Sequence, residues 1–310
     1  MPIDPCFADL LSDPRNIVRP PPAHVSLKTV RRAADAAMAI GDAPRMASET
    51  DDAVRVGART IPVRHFRPTD DATLPAILFC HGGGFVWGSI ETHAGISRRL
   101  AAQTGAVVLS VGYGLAPETR LAEAVHQAYA ALRDMLAGAV DHGIDPNAIA
   151  LCGDSAGGAI CVGVAALAAR DGIGLRHLAL FYPALDPTCT TESQRDLAQG
   201  PILTQAAMRW FWDCALGDAD RVPTDLMALH TPHLERFPPT TLATAEYDPL
   251  RDEAASFANR LMACGIDAQL TCYPGMVHGF FSLAVSSPTI DAALLDTCQR
   301  LRKSLLPSEI

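Results

Sequence analysis

Ser155 lies between two glycines in the segment Gly153-Asp-Ser-Ala-Gly157, a spacing in which a serine hydroxyl can act as a nucleophile. The apolar run from Ile149 to Cys152 predicts a short buried strand before it, and residues 156–169 predict a helix after it. A serine in so tight a turn needs neighbours without side chains, because the backbone passes close to itself. The pattern therefore indicates a hydroxyl exposed at the carboxyl edge of a sheet. The alternative is a glycine turn in which Ser155 only caps the helix.

A glycine run, His81-Gly-Gly-Gly84, directly follows the apolar stretch from Ile77 to Cys80. Consecutive glycines favour a place where backbone closely approaches another group. A phosphate-binding loop would need the lysine of the pattern G-x-x-x-x-G-K-S/T, and this run has none. We therefore expect the N–H groups of Gly83 and Gly84 to join that of Ala156 around negative charge developing on a substrate oxygen.

A nucleophilic serine also needs a base and an acid that orients the base. His278 lies in a glycine-containing loop after the last predicted strand, and Asp248 directly follows the strand before it. The chain order serine, acid, histidine is typical of this architecture. We predict the triad Ser155, Asp248 and His278. Three nearby carboxylates are alternatives for the acid, namely Glu246, Asp252, which is better explained as a helix cap, and Glu253.

Short apolar stretches that alternate with helical ones would position these residues. Strands are predicted at 76–80, 106–111, 149–152, 178–181, 241–245 and 268–273, after an antiparallel hairpin at 52–67. Helices are predicted at 92–103, 121–137, 156–170, 252–264 and 290–305. Strands alternating with helices predict an α/β fold whose parallel sheet is covered on both faces.

Two further segments are predicted to form a helical cap above the site. Residues 26–40 are predicted to be helical, and so is the aromatic-rich stretch 203–216. The second lies where open α/β sheets bind ligands. We predict a cap of residues 1–48 and 188–225 over a catalytic domain of residues 49–187 and 226–310. Six residues are predicted to contact the substrate, namely Phe85, Trp87, Asp154, Leu203, Met208 and Trp212.

Composition excludes several classes of protein. The 310 residues carry a formal net charge of -9, and no basic stretch is long enough to follow a nucleic acid. The longest apolar run, 156–169, is too short to span a membrane, and the amino terminus lacks the pattern of a secretory signal. Nine cysteines without a C-x-x-C pair favour a reducing compartment. These features predict a cytoplasmic protein, and the reaction expected of the predicted triad needs neither a metal nor an organic cofactor.

Four motifs occur in a recognisable order: H-G-G-G-F at 81–85, G-D-S-A-G-G at 153–158, D-P-L-R-D-E at 248–253 and P-G-M-V-H-G-F at 274–280. With them the chain resembles the hormone-sensitive-lipase-like family of α/β-hydrolase carboxylesterases, from about residue 76 to 281. The resemblance implies an α/β-hydrolase fold with a mostly parallel eight-stranded sheet and a helical cap. It also implies hydrolysis of small-molecule esters with short to medium acyl chains through an acyl-serine, and it assigns the triad and oxyanion residues named above.

The sequence departs from the family at one place. The family commonly shows D-Y-R-L-A-P-E where this chain has Gly112-Tyr-Gly-Leu-Ala-Pro-Glu118, and Gln127 replaces a carboxylate of the following helix. We expect that both partners of a family ion pair have been replaced together in this chain, and that the pocket wall is looser or wider as a result. Alternative functions are a non-catalytic small-molecule receptor and an acyl hydrolase acting on amides or lactones. The last strand could also pair with a second copy of the chain to form a homodimer.

Overall fold

The computed structural model describes residues 2–38, 43–217, 230–283 and 285–306. The end of the helix predicted at 26–40 lies outside the described residues. So do residues 218–225 of the predicted cap and 226–229 of the predicted catalytic domain.

One eight-stranded sheet forms the centre of the protein. Its strands are β1 (Ser48–Val56), β2 (Arg59–Arg67), β3 (Leu74–Cys80), β4 (Val107–Val111), β5 (Ile144–Asp154), β6 (His177–Phe181), β7 (Thr240–Tyr247) and β8 (Ala268–Val277). Their order is β1-β2-β4-β3-β5-β6-β7-β8. The pairs β1–β2 and β2–β4 are antiparallel and the remaining pairs are parallel, so the predicted amino-terminal hairpin and parallel sheet are both confirmed.

The helices cover both faces of the sheet. They are α1 (Ala8–Ser12), α2 (Leu27–Ala37), α3 (Ala94–Thr104), α4 (Leu121–Ala137), α5 (Ala156–Asp171), α6 (Glu192–Asp196), α7 (Gln205–Leu216), α8 (Arg251–Ala263) and α9 (Pro288–Leu305). In the part of the chain that the structure describes, none of them has the length and apolar character needed to cross a bilayer.

Side chains of β3 show why this sheet is buried on both sides. Ile77 and Phe79 belong to a core with α3 and α9, whereas Leu78 and Cys80 belong to a second core with α4, α5 and α8. Successive side chains of a strand point to opposite faces, so an uninterrupted apolar strand must be covered twice. Burying each large side chain contributes about 1.5–3 kcal/mol, which makes this central region rigid.

Two segments distant in sequence meet above the carboxyl ends of the strands. Val18 pairs with Leu203 in an isolated parallel bridge, and the Val18 N–H donates to the carbonyl of Ile202 at 2.7 Å. The hydroxyl of Thr204 donates to the Val18 carbonyl at 2.8 Å. The amino-terminal segment and the segment that leads into α7 are therefore joined by hydrogen bonds.

Candidate active site

Ser155 directly follows β5 and precedes α5, in a strained backbone conformation with φ 52° and ψ -119°. A left-handed φ costs a residue with a side chain about 1–2 kcal/mol. Surrounding contacts hold the turn, because the Ser155 N–H donates to the carbonyl of Phe181 at 2.9 Å. A Cβ at Gly157 would lie 2.6 Å from the carbonyl carbon of Cys80, which explains the glycine there. The strand–turn–helix context predicted for this serine is present.

Asp248 and His278 also directly follow strands, β7 and β8, and their side chains converge on the serine. Oγ of Ser155 lies 3.1 Å from Nε2 of His278, and Nδ1 of His278 lies 2.7 Å from Oδ2 of Asp248. The Asp248 side chain is fully buried, and its other oxygen accepts the N–H of Leu250. This geometry fixes the tautomer: a proton on Nδ1 donates to the carboxylate, and Nε2 faces the hydroxyl.

The three alternative carboxylates form hydrogen bonds with groups other than His278. Glu246 accepts the N–H of Gly275, and Asp252 accepts the N–H of Ser193 while pairing with the adjacent Arg251. Glu253 is fully buried and accepts N–H groups from the loop after β6. Of the four carboxylates, Asp248 is the one that the described residues show hydrogen-bonded to His278.

The glycine loop lies beside the serine. Gly83 and Gly84 have φ values of 115° and 58°, and neither N–H donates to another group of the described chain. A Cβ at Gly83 would lie within 3 Å of Trp87 and one at Gly84 within 3 Å of Phe211, so both positions require glycine for space as well as for conformation. Ala156 is the first residue of α5, where a backbone N–H has no acceptor within the helix.

Asp154 precedes Ser155 in the chain, and its side chain contacts the glycine loop and two other segments near the site. Its carboxylate accepts the N–H of Gly82 at 2.7 Å and the hydroxyl of Ser282 at 3.0 Å, and it lies 3.4 Å from Nε2 of His93. Burial raises the pKa of Asp154, but the His93 imidazole and the Ser282 hydrogen bond lower it, and the resulting pKa is below the ordinary value. Asp154 therefore stays ionised and holds the glycine loop.

His81, which opens the glycine run, is a structural residue. Its ring is buried and stacks on Tyr113, with 4.3 Å between ring centroids. Burial, aided by the neighbouring His93, lowers the pKa of His81 to about 3. The ring is therefore neutral at pH 7, and it packs beneath the loop rather than reaching Ser155.

A cavity of about 540 Å³ opens onto Ser155 and His278, with a mostly apolar wall. Four of the six residues predicted to contact the substrate line it, namely Trp87, Asp154, Leu203 and Met208. Phe85 and Trp212 do not. They are buried against each other with ring centroids 4.8 Å apart, because the φ of 67° at Phe85 turns this side chain away from the substrate side of the loop.

Sequence reasoning also missed many lining residues, among them Ile17, Val18, Val30, Met38, Tyr182, Ile202, Phe211 and Leu283. Tyr182 could have been found, because it directly follows β6 just as the triad residues follow their strands. The apolar face of α2 indicates lining residues less clearly, since amphipathic helices also cover ordinary hydrophobic cores.

The two residues of the departure from the family pattern, Gly114 and Gln127, bind each other. The Gly114 N–H donates to Oε1 of Gln127 at 2.7 Å, and the Gln127 side chain is buried. Neither residue lines the cavity, so the looser or wider pocket wall expected from this departure stays a prediction. A neutral amide bound to a backbone N–H takes over the contact between this loop and α4.

Comparison with known proteins agrees with the fold. A family model described as the alpha/beta hydrolase fold matches residues 77–282. The chain is 36% identical over 257 residues to carboxylesterase NlhH of Mycobacterium tuberculosis, covering 80% of each chain. It is 33% identical over 270 residues to an ethyl acetate hydrolase of Pseudomonas putida, covering 85% of each.

A solved structure, the hyperthermophilic esterase from the archaeon Pyrobaculum calidifontis, superposes with a TM-score of 0.89 at 32% identity. The superposition covers 98% of this chain and 99% of that one, so the likeness extends beyond the catalytic sheet to the segments above it. By its sequence match, its sheet and its site, the chain belongs to the hormone-sensitive-lipase-like family of the α/β-hydrolase fold.

Proposed function

We propose that this protein is a serine carboxylesterase that hydrolyses esters through an acyl-serine intermediate. The observation that carries the proposal is the hydrogen-bonded series from Oγ of Ser155 through the His278 ring to Asp248, with distances of 3.1 and 2.7 Å. Relatives named carboxylesterase and ethyl acetate hydrolase support the same reaction class.

Acylation begins when Oγ of Ser155 attacks the ester carbonyl carbon and its proton passes to Nε2 of His278. Asp248 stabilises the resulting imidazolium through Nδ1. The carbonyl oxygen becomes an oxyanion, and the N–H groups of Gly83, Gly84 and Ala156 stabilise it. Loss of one such donor typically reduces kcat by about 10²–10³-fold.

The tetrahedral adduct collapses when the bond to the alcohol oxygen breaks and Nε2 returns the proton to that oxygen. A water molecule then gives a proton to Nε2 of His278 and attacks the acyl carbon. The second adduct releases the carboxylic acid and restores the hydroxyl of Ser155. No step requires a redox change, and the same imidazole acts first as base and then as acid.

The substrate class follows from the cavity. Its volume of about 540 Å³ and its mostly apolar wall suit acyl or alcohol groups of short to medium length. The wall includes Val18 and Val30 from the amino-terminal segment, and Leu203 and Met208 from the segment around α7. This supports the proposed division into a cap (1–48 and 188–225) and a catalytic domain (49–187 and 226–310).

A panel of nitrophenyl esters from acetate to dodecanoate tests the proposal. We expect the highest kcat/KM from acetate to octanoate, and a loss of about 10⁴-fold or more in Ser155→Ala. Ser256→Ala, an exposed serine on α8, is the matched control and should leave the rates unchanged. Ester hydrolysis that survives in Ser155→Ala would contradict the assignment, as would a wild-type protein inactive on every ester.

We also propose a cytoplasmic location and a homodimer. All nine cysteines are free thiols, which fits a cytoplasmic location. β8 is an edge strand on which Leu270 is 37% exposed, and an edge strand can pair with a second copy in a homodimer. Light scattering of the purified protein at micromolar concentration distinguishes monomer from dimer, and fractionation of producing cells tests the location.

A further inference from the structure

Arg31 joins the amino-terminal helix α2, which lines the cavity, to the catalytic part of the chain. Its Nε donates to the carbonyl of Val86 at 2.7 Å, and a terminal nitrogen donates to the carbonyl of Ala116 at 2.8 Å. Both terminal nitrogens also bind the carboxylate of Glu118, at 3.0 and 2.6 Å. The guanidinium therefore has two carbonyl contacts and one ion pair.

These contacts stand out because α2 is otherwise weakly attached. Among residues 19–38 and 43–46, Arg31 makes every hydrogen bond to residues 47 onward. No side chain from Leu27 to Ala36 is buried. The chain that precedes the helix is fixed at Val18, and Arg31 fixes the middle of the helix itself.

The two carbonyls belong to the backbone that shapes the oxyanion loop. Val86 and Trp87 both donate their N–H groups to the Gly83 carbonyl, so Val86 is part of the turn that orients the Gly83 and Gly84 amides. The Ala116 N–H donates to the carbonyl of Phe85 at 2.8 Å. Arg31 thus closes a ring of hydrogen bonds around this turn.

The turn needs such support, because it is strained. Gly83, Gly84, Phe85 and Gly88 all have left-handed φ values, of 115°, 58°, 67° and 87°. Phe85 is the costly member, since a residue with a side chain is disfavoured there by about 1–2 kcal/mol. Backbone in this state persists only where the surroundings over-determine it.

We propose that Arg31 is a positioning residue for ester hydrolysis, which couples closure of the α2 helix over the cavity to the placement of the Gly83 and Gly84 donors. The inference rests on the proposed function. When α2 lies over the substrate, the guanidinium fixes the Val86 carbonyl, and the turn presents its amides to the oxyanion. When α2 lifts, that restraint is lost.

Three variants separate the contacts. Arg31→Met removes all of them, Arg31→Lys keeps a charge for Glu118 but lacks the fork that spans two carbonyls, and Glu118→Gln removes only the ion pair. Arg32→Met, on the exposed side of the same helix, is the control. Because the donors would be displaced rather than deleted, we expect less than the 10²–10³-fold loss of a missing donor, about tenfold in kcat for Arg31→Met and Arg31→Lys.

The readouts are kcat and KM with nitrophenyl acetate, and the affinity for an alkylboronic acid. In the boronic adduct Oγ of Ser155 bonds to boron, the serine proton passes to His278, and a boron-bound oxygen faces the oxyanion donors. We expect boronic acid affinity to fall about as much as kcat, with KM changed less than twofold, and Glu118→Gln and Arg32→Met to resemble wild type.

A rise in KM alone, with kcat and boronic acid affinity intact, would show that Arg31 only anchors the cap and would overturn the proposal. Arg31→Lys behaving like wild type would also overturn it, and this variant remains informative if Arg31→Met fails to fold. If wild type is active, Ser155→Ala is inactive and the Arg31 variants match wild type, only this inference fails. If wild type hydrolyses no ester, the proposed function fails instead.

Discussion

Helices α5 and α2 both approach the reacting atoms, and they are held in opposite ways. In α5, thirteen of sixteen residues are buried, including its whole first turn behind Ser155. In α2, no side chain from Leu27 to Ala36 is buried, and one arginine supplies its hydrogen bonds to the catalytic part. Chemistry requires atoms placed to fractions of an ångström, whereas substrate entry requires an element that can move. Substitutions near α5 should therefore affect rate or stability, and those on the cavity-lining face of α2, Arg31 apart, should affect substrate choice.

The largest effect is expected at the triad. Asp248→Asn should reduce kcat by about 10³–10⁴-fold, because the amide favours the wrong imidazole tautomer. Steady-state kinetics with nitrophenyl butyrate measures it. Glu246→Gln is the control, since Glu246 accepts the Gly275 N–H instead of binding His278. An equal loss in Glu246→Gln would show that Asp248 is not the sole acid.

The next effect is on stability at the packed turn. Gly157→Ala places a Cβ 2.5 Å from the carbonyl oxygen of His81, and backbone there cannot move without shifting the glycine loop. We expect a loss of about 1–3 kcal/mol in the free energy of unfolding, with a lower Tm in calorimetry. Gly174→Ala has no atom within 4 Å of its Cβ and should leave Tm nearly unchanged. A Gly157→Ala protein as stable as wild type would show that the turn is less tightly packed than described.

Glu253 makes the rigid region sensitive to pH. Burial raises the pKa of Glu253 from 4.5 to about 8, although three hydrogen bonds from Gln194, Leu185 and Asp186 oppose the change. The folded chain then holds a proton that the unfolded chain releases above about pH 4.5, so this group's contribution to stability falls as pH rises from 4.5 to 8.

Glu253→Gln removes that titration. The difference in Tm, variant minus wild type, should therefore increase as the pH is raised from 5 to 8. The control is Asp134→Asn, which replaces an exposed carboxylate on α4. Its Tm should change with pH in the same way as the Tm of the wild type. If the Glu253→Gln and wild-type curves also run parallel, Glu253 is ionised throughout this range.

The smallest effect is expected in α2. Val30 lines the cavity without being buried, so Val30→Trp fills part of it at little cost in stability. We expect kcat/KM for octanoate esters to fall about tenfold while acetate esters are unaffected, since pocket shape discriminates chain length by 1–3 kcal/mol per group. Arg32→Trp on the outer side is the control. Equal loss for both chain lengths would indicate that the side chain at position 30 disturbs the reaction centre instead of limiting chain length.

Most of the sheet and the triad could be predicted from the sequence. The bounds of α4 match the predicted 121–137, because a long amphipathic helix has a strong period, and Ser155, Asp248 and His278 each follow an apolar strand. β5 begins at Ile144, five residues before the predicted start, because Asp145-Pro-Asn147, a sequence typical of a turn, hides the strand's first half.

Side-chain directions were harder to predict. Phe85 follows the glycine run, but its left-handed backbone points it at Trp212, and no pattern of residue types reveals that reversal. Arg31 gave no signal either, because its partners are carbonyls at positions 86 and 116, and any residue supplies a carbonyl.

The bridge between Val18 and Leu203 bears on how such enzymes can be recombined. It joins two parts of the cavity wall that are 185 positions apart in the chain, and Thr204 reinforces it with a second hydrogen bond. A chimera that takes only the amino-terminal piece from a relative would match one half of this junction to a foreign partner. Transplanting both pieces together keeps the junction intact, so the two should be exchanged, and should diversify, as a single module.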